Sequence, residues 1–313
     1  MYIGIDLGGT NIAVGIVDEN NKVVASDSTP TLAERHWSEI VMDMAELTKK
    51  VTLENGYKLE DIESIGIGCP GTVNTDNGVI AYSNNIAMDQ VPMADEIRKY
   101  LGIDVKINIE NDANAAAYGE YVATGATAKS FIFITLGTGV GGGVVLDGKL
   151  YRGFNFAGAE LGHFIMKMDG EPCSCGANGC WEAYASVTAL IRQTREAMEA
   201  NPDSLMHKFA EENGKVSGRT SFMAAAEGDE AAQKVVDKYI EYVATGIASM
   251  VNIFQPEILV IGGGISKEGD KLLNPIKEYV NKIDYNKYMQ KTDIRIAQLF
   301  NDAGIVGAAL AAK

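Results

Sequence analysis

Asp6-Leu7-Gly8-Gly9-Thr10-Asn11 closes one apolar run, begun by Tyr2-Ile3-Gly4-Ile5, and opens another that reaches a turn at Asp18. A weak echo lies downstream, where Thr135-Leu136-Gly137-Thr138-Gly139 leads into an apolar run and a turn at Asp147-Gly148. In both copies the turn aspartate lies twelve residues after the first residue of the motif. Each half therefore begins strand, glycine turn, strand, turn, strand. Two such halves with a cleft between them would bring both glycine turns to one ligand.

Working outward, periodicity predicts strands at 2–7, 12–18, 22–28, 63–68 and 105–109, with helices near 34–53, 91–101 and 112–123. The second half restarts with strands at 130–136 and 141–147. It ends with helix 229–253, strand 257–262, helix 266–282, strand 293–297 and helix 303–312. Strands and helices mixed in this way predict an α/β fold. At 313 residues, two domains are expected. No Pro/Ser-rich linker marks a boundary, so the join is a hinge between packed elements.

Apolar residues are 46% and charged residues 22%, ordinary for a soluble globular chain. The net charge of −15 and the lack of any basic cluster beyond Lys49-Lys50 argue against nucleic acid or an anionic membrane surface as partner. No apolar stretch is long enough to span a membrane, and no secretory leader is evident at the N-terminus. Three of the four cysteines fall within eight residues, a crowding that points to a metal site in a reducing, cytoplasmic setting.

Gly8 and Gly9 let backbone N–H groups approach an anion, Thr10 adds a hydroxyl, and Asp6 is placed to hold a phosphate-bound cation. A plain hairpin turn is the alternative. Gly137-Thr138-Gly139-Val140-Gly141-Gly142 matches the dinucleotide fingerprint literally, but a strand follows it where that fingerprint requires a helix. A second phosphate-binding hairpin fits better. Gly262-Gly263-Gly264, after a strand, either lets an adenine ring lie against backbone or is a simple turn.

Asp112, in Glu110-Asn111-Asp112, begins an Ala-rich helix, where the dipole favours an ionised carboxylate able to orient a hydroxyl and take its proton. The competing reading is an N-cap. Glu160-Leu161-Gly162-His163, Cys173-Ser174-Cys175 and Cys180-Trp181-Glu182 supply one histidine and three cysteines in a spacing that suits a closed, structural zinc site. The alternative is buried free thiols. Such a metal would pin the loop carrying Glu160, His163 and Glu182. The glycine turns lie far from that loop in sequence, so they are expected to be independent of it. Cys69 reads as a small buried apolar residue, and His36 and His207 as surface residues.

Taken in order, these motifs resemble the ROK family of repressors and sugar kinases, in its bacterial glucokinase branch, across essentially the whole chain. The resemblance implies a two-domain actin/hexokinase-like (ribonuclease H-like) fold with a cleft between domains. It implies residues 1–112 plus 301–313 as a small domain, and 113–300 as a large domain bearing the zinc loop and dimerisation surface. It further implies transfer of the ATP γ-phosphoryl, with Mg²⁺, to the 6-hydroxyl of glucose. By the same resemblance Asp112 is the catalytic base, and Asn111, Glu160, His163 and Glu182 meet the sugar. Gly71 and Asn85 are further sugar contacts, although Ser83-Asn84-Asn85-Ile86 departs from the commoner Pro-Asn-Leu.

Gly8 to Asn11 and Gly137 to Gly139 match the phosphate loops, and Gly262 to Gly264 the nucleoside side. His163, Cys173, Cys175 and Cys180 match the zinc ligands, and a homodimer is expected. Family repressors carry a DNA-binding arm before the first motif, which here begins at residue 6. The expectation is the kinase branch. Mannose, N-acetylmannosamine or N-acetylglucosamine as substrate, a non-catalytic sugar sensor and a sugar-independent actin-like ATPase are the alternatives.

Overall fold

The computed structural model describes residues 1–83 and 86–313. β1 (Tyr2–Leu7), β2 (Asn11–Val17) and β3 (Val23–Pro30) form an antiparallel meander, with Leu7 opposite Ile12 across the first glycine turn. The Gly8 N–H donates to the Asn11 carbonyl at 2.9 Å and closes that turn. After α1 (Trp37–Glu54) the chain returns as β4 (Ser64–Cys69), parallel to β1 and buried along its whole length. β5 (Thr72–Asn74), β6 (Val79–Ser83) and β7 (Met88–Val91) make a small antiparallel sheet. Then come α2 (Met93–Leu101), β8 (Lys106–Asn111) and α3 (Asp112–Ala123).

The second half opens with β9 (Ser130–Leu136), β10 (Val140–Leu146) and β11 (Lys149–Leu150). Asp147 and Gly148 have φ of 48° and 76° and join β10 to β11 through two left-handed residues, the geometry of a type I′ hairpin. Five helices follow: α4 (Glu182–Ala185), α5 (Val187–Ala200), α6 (Met206–Glu212), α7 (Thr220–Ala226) and α8 (Glu230–Phe254). The chain ends with β12 (Ile258–Gly262), α9 (Asp270–Ile283), β13 (Asp293–Ile296) and α10 (Ala303–Ala311). The helix expected over 266–282 is split. Residues Gly264–Glu268 form a 3₁₀ turn, and Gly269, at φ 60° and ψ −129°, takes a conformation only glycine tolerates before α9 begins.

The internal repeat is visible in the sheets. One has the order β3-β2-β1-β4-β8 and the other β11-β10-β9-β12-β13, the same arrangement strand for strand. The chain divides into two compact units. The first comprises Met1–Phe133, Gly142–Ala159 and Gln298–Lys313, the second Ile134–Gly141 and Glu160–Ala297. The C-terminal helix and α3 both belong to the first unit. The reason is close packing: a side chain at Gly119 or Gly307 would strike the backbone of the other helix, so α3 and α10 meet at backbone distance. α10 also lies directly on Gly4 of β1 and Gly66 of β4. The opposite face of this sheet is covered by α1, whose Ile40, Val41 and Met44 join Ile3, Ile5, Ile65 and Ile67 in one buried core.

Candidate active site

In the first unit, β1, β4 and β8 are parallel, and Asp6, Gly68 and Glu110 lie in one register row near their C-terminal ends. That is where open α/β sheets expose ligand-binding residues. Burial pushes the Asp6 carboxyl above its usual range. The first turn of α10 rests against it, since a side chain at Gly304 would come within 2.6 Å of Asp6 Oδ2. Cys69 is fully buried, as expected. Its thiol is held well above its ordinary value by burial first, and then by the carboxylates of Asp112, Asp6 and Glu110.

The N-cap of α3 is Asn111, not Asp112. Asn111 has extended backbone, and its side-chain oxygen accepts the Asn114 N–H at 3.1 Å. Its Nδ2 donates to the Gly71 carbonyl at 3.1 Å, which ties together two residues expected at the sugar. Gly71 has φ 96°, a left-handed conformation suited to glycine. Asp112 is thus the first helical residue, and its Oδ1 accepts the N–H of Ala113 at 2.9 Å. Asn85 lies outside the described residues.

Arg152 was not singled out from the sequence. Its Nε donates to Glu110 Oε2 at 2.6 Å, and its Nη2 lies 2.5 Å from the same oxygen in an ion pair. Glu110 is only 2% exposed, and its other oxygen accepts the Asn111 N–H at 3.1 Å and Asn114 Nδ2 at 3.3 Å. A buried ion pair therefore stands directly behind the Asn111-Asp112 corner.

In the second unit, Glu160 precedes a single 3₁₀ turn, Leu161–His163, and its carbonyl accepts the His163 N–H at 3.1 Å. His163, Cys173, Cys175 and Cys180 bring their donor atoms within 4.8 Å of one another. Cys173 Sγ lies 3.6 Å from His163 Nδ1, and Cys175 Sγ lies 3.5 Å from Cys180 Sγ. Tetrahedral zinc with ordinary Zn–S and Zn–N bonds requires donor separations of about 3.6–3.8 Å. The four residues fit that ion, and they do so with Nδ1, which leaves Nε2 on the far edge of the ring.

Two features organise this loop. Trp181 is fully buried, packs its ring on Gly246 of α8 and donates from Nε1 to the Tyr242 carbonyl at 2.9 Å. It anchors the run Cys180-Trp181-Glu182. Glu182 Oε1 accepts the Ser174 hydroxyl at 3.0 Å, while Oε2 accepts the Val140 N–H at 3.0 Å, one residue beyond the second glycine turn. A side chain at Gly139 would overlap that carboxylate. The turn is held from the same side by α5, where Val187 N–H donates to the Gly137 carbonyl at 2.8 Å and Thr188 Oγ1 to the Thr138 carbonyl at 2.7 Å. The expectation that the glycine turns are independent of the zinc loop therefore fails for this one. Distance in sequence concealed a direct contact in space.

The third glycine cluster meets the second. Gly263, at φ 86°, packs on the Leu136 backbone, and β9 and β12 are neighbours in the sheet. His36 and His207 are exposed.

The sequence matches the model of the ROK family over residues 2–313. The chain belongs to the ROK family. This ROK protein is 38% identical to the glucokinase of Thermotoga maritima over 309 residues, 98% of this chain and 95% of the relative. It is 32% identical to the N-acetyl-D-glucosamine kinase of Aliivibrio fischeri over 277 residues, 85% of this chain and 84% of that one. Among solved structures, the ROK family glucokinase of Streptomyces griseus, in complex with glucose and AMPPNP, superposes with a TM-score of 0.84 at 33% identity, covering 99% of this chain and 98% of the other. The two-domain α/β architecture of this ROK protein is accordingly that of the actin/hexokinase-like sugar kinases. Among the described residues, no helix is long and apolar enough to cross a membrane.

Proposed function

We propose that this ROK protein phosphorylates glucose at the 6-hydroxyl with ATP, and that Asp112 is the base. Full-length similarity to glucokinases supports the reaction. The single structural observation that supports the role of Asp112 is its place as the first residue of α3, directly after the N-cap Asn111 and beside the Asp6-Gly68-Glu110 row at the C-terminal ends of the parallel strands. There the helix dipole favours the ionised form that accepts a proton.

Asn111 and Gly71 bind and orient the sugar, and Asn85 is assigned with them. Glu160 and Glu182 accept hydrogen bonds from its hydroxyls. With Nδ1 facing Cys173 Sγ at 3.6 Å, His163 would give Nδ1 to a bound metal and present Nε2 to a sugar hydroxyl. Gly8, Gly9, Thr10 and Asn11, together with Gly137, Thr138 and Gly139, present backbone donors to the phosphates, and Gly262 to Gly264 take the nucleoside. Mg²⁺ carried by ATP would be held by Asp6 and would neutralise phosphate charge, a need made acute by the neighbouring Glu110 and Asp112. Because phosphoryl transfer proceeds through a loose transition state, these residues act mainly by positioning. His163, Cys173, Cys175 and Cys180 would hold zinc in a structural role, since four protein ligands leave no place for a catalytic water.

Asp112→Asn should lower kcat by about 10²-fold or more while glucose affinity, read by calorimetry, stays within a few-fold. Retention of most turnover refutes the base. The similarity to an N-acetyl-D-glucosamine kinase favours a second reading, in which another hexose is preferred. ADP release measured over glucose, mannose, N-acetylmannosamine and N-acetylglucosamine decides between them by kcat/KM. We further propose a cytoplasmic homodimer, in keeping with four free thiols; light scattering at micromolar concentration tests the assembly.

A further inference from the structure

The second glycine turn is held by residues of the segment Glu182–Thr188, which follows the last of the clustered cysteines. The Gly137 carbonyl accepts from Val187 N–H at 2.8 Å and the Thr138 carbonyl from Thr188 Oγ1 at 2.7 Å, both in the first turn of α5. Val140 N–H donates to Glu182 at 3.0 Å. All peptide bonds here are trans, so each N–H points opposite to the carbonyl of its own peptide group. Pinning the carbonyls of Gly137 and Thr138 to α5 therefore turns the N–H groups of Thr138 and Gly139 away from it, side by side. Two successive amides facing one way make a concavity for an anion.

We propose that the corner Glu182–Thr188 sets the polarity of this hairpin, and that Thr188 is a positioning residue for the nucleotide. The proposal rests on the reading of residues 137–139 as a phosphate loop. It makes a residue of the zinc-loop side answerable for ATP affinity, through a hydroxyl that the sugar chemistry does not use.

Thr188→Val keeps the shape and removes the donor, and Thr188→Ser restores it. Calorimetric titration with AMPPNP and Mg²⁺ should show binding weakened about three- to tenfold in Thr188→Val, the size expected for one hydrogen bond, and recovered in Thr188→Ser. Glucose affinity and melting temperature should remain those of the parent. Gly137→Ala is the companion variant, because a methyl there meets nothing within 4 Å in the protein itself and obstructs only an approaching phosphate. Parental AMPPNP affinity in Thr188→Val overturns the clasp. If Gly137→Ala is weakened at the same time, the phosphate loop stands without it; if Gly137→Ala is also unchanged, both fall. Equal losses of nucleotide affinity, glucose affinity and melting temperature in Thr188→Val would mark a merely structural residue and also overturn the proposal.

Discussion

Replacing Arg152 with methionine should destabilise the first unit by about 3 kcal/mol, more than replacing the acid it pairs with. Glu110 is 2% exposed, and both of its bonds to Arg152 fall on Oε2. Removing one partner of a buried ion pair costs about 3–5 kcal/mol, because the other charge stays buried without compensation. Here Oε1 keeps the Asn111 N–H and Asn114 Nδ2, so the lower end of that range applies. Glu110→Gln removes the charge itself and leaves Arg152, whose side chain is 29% exposed, with access to water. Its cost should be nearer 1–2 kcal/mol, that of impaired buried hydrogen bonds. The double variant should recover about 2 kcal/mol relative to the sum of the single ones. Urea unfolding of the parent and three variants, followed by circular dichroism, gives the cycle, and thermal melts should fall by about 6–12 °C for Arg152→Met. An Arg152→Met loss no larger than that of Glu110→Gln, or a coupling near zero, would show that the Glu110 charge is not confined as described.

Gly304→Ala should raise the ATP KM several-fold with little change in glucose KM, because the added methyl meets Asp6 Oδ2 at 2.6 Å and must displace it; a coupled ADP-release assay gives both constants. Gly246→Ala overlaps the buried Trp181 ring and should lower stability by about 1–3 kcal/mol or more, read by urea unfolding with near-ultraviolet circular dichroism. Cys175→Ala should reduce zinc from about one per chain to a small fraction by elemental analysis. It should raise the KM of glucose and of ATP together, since Glu182 bonds both the zinc loop and the glycine hairpin; an unchanged ATP KM after loss of the metal would contradict that link.

The parts legible in the sequence are those whose physics is local. Alternating and continuous apolar runs marked the ten strands of the two larger sheets almost to the residue, except the two-residue β11, and the repeated glycine turns anticipated two sheets of identical order. β5, with three residues, and β7, with four, are too short to show a period, so the small sheet between β4 and α2 went unread. Helices α4 to α7 were likewise unassigned, though Gly269 stood in plain view as the break before α9. The cluster of His163, Cys173, Cys175 and Cys180 was legible because cysteine and histidine at close spacing have few other uses.

What sequence could not decide was which of two adjacent residues does which task. Asn111 and Asp112 can each cap a helix, and only the extended backbone of Asn111 shows that the amide is the N-cap and the aspartate the first helical residue. The contacts that hold the site in shape were equally hidden, because each joins segments with no common motif. Arg152 reaches Glu110 across 42 residues, and Thr188 reaches Thr138 across 50. Neither residue type is unusual at its position, and neither touches a motif in sequence. Their meaning comes from what they hold: one pairs with the buried acid beside the Asn111-Asp112 corner, the other holds the second glycine hairpin. A closed metal site can affect catalysis only through such contacts, because it offers no open coordination position of its own. Here Cys180, Trp181 and Glu182 are consecutive, so the proposed metal ligand, the buried anchor and the hairpin's acceptor are joined in one short run.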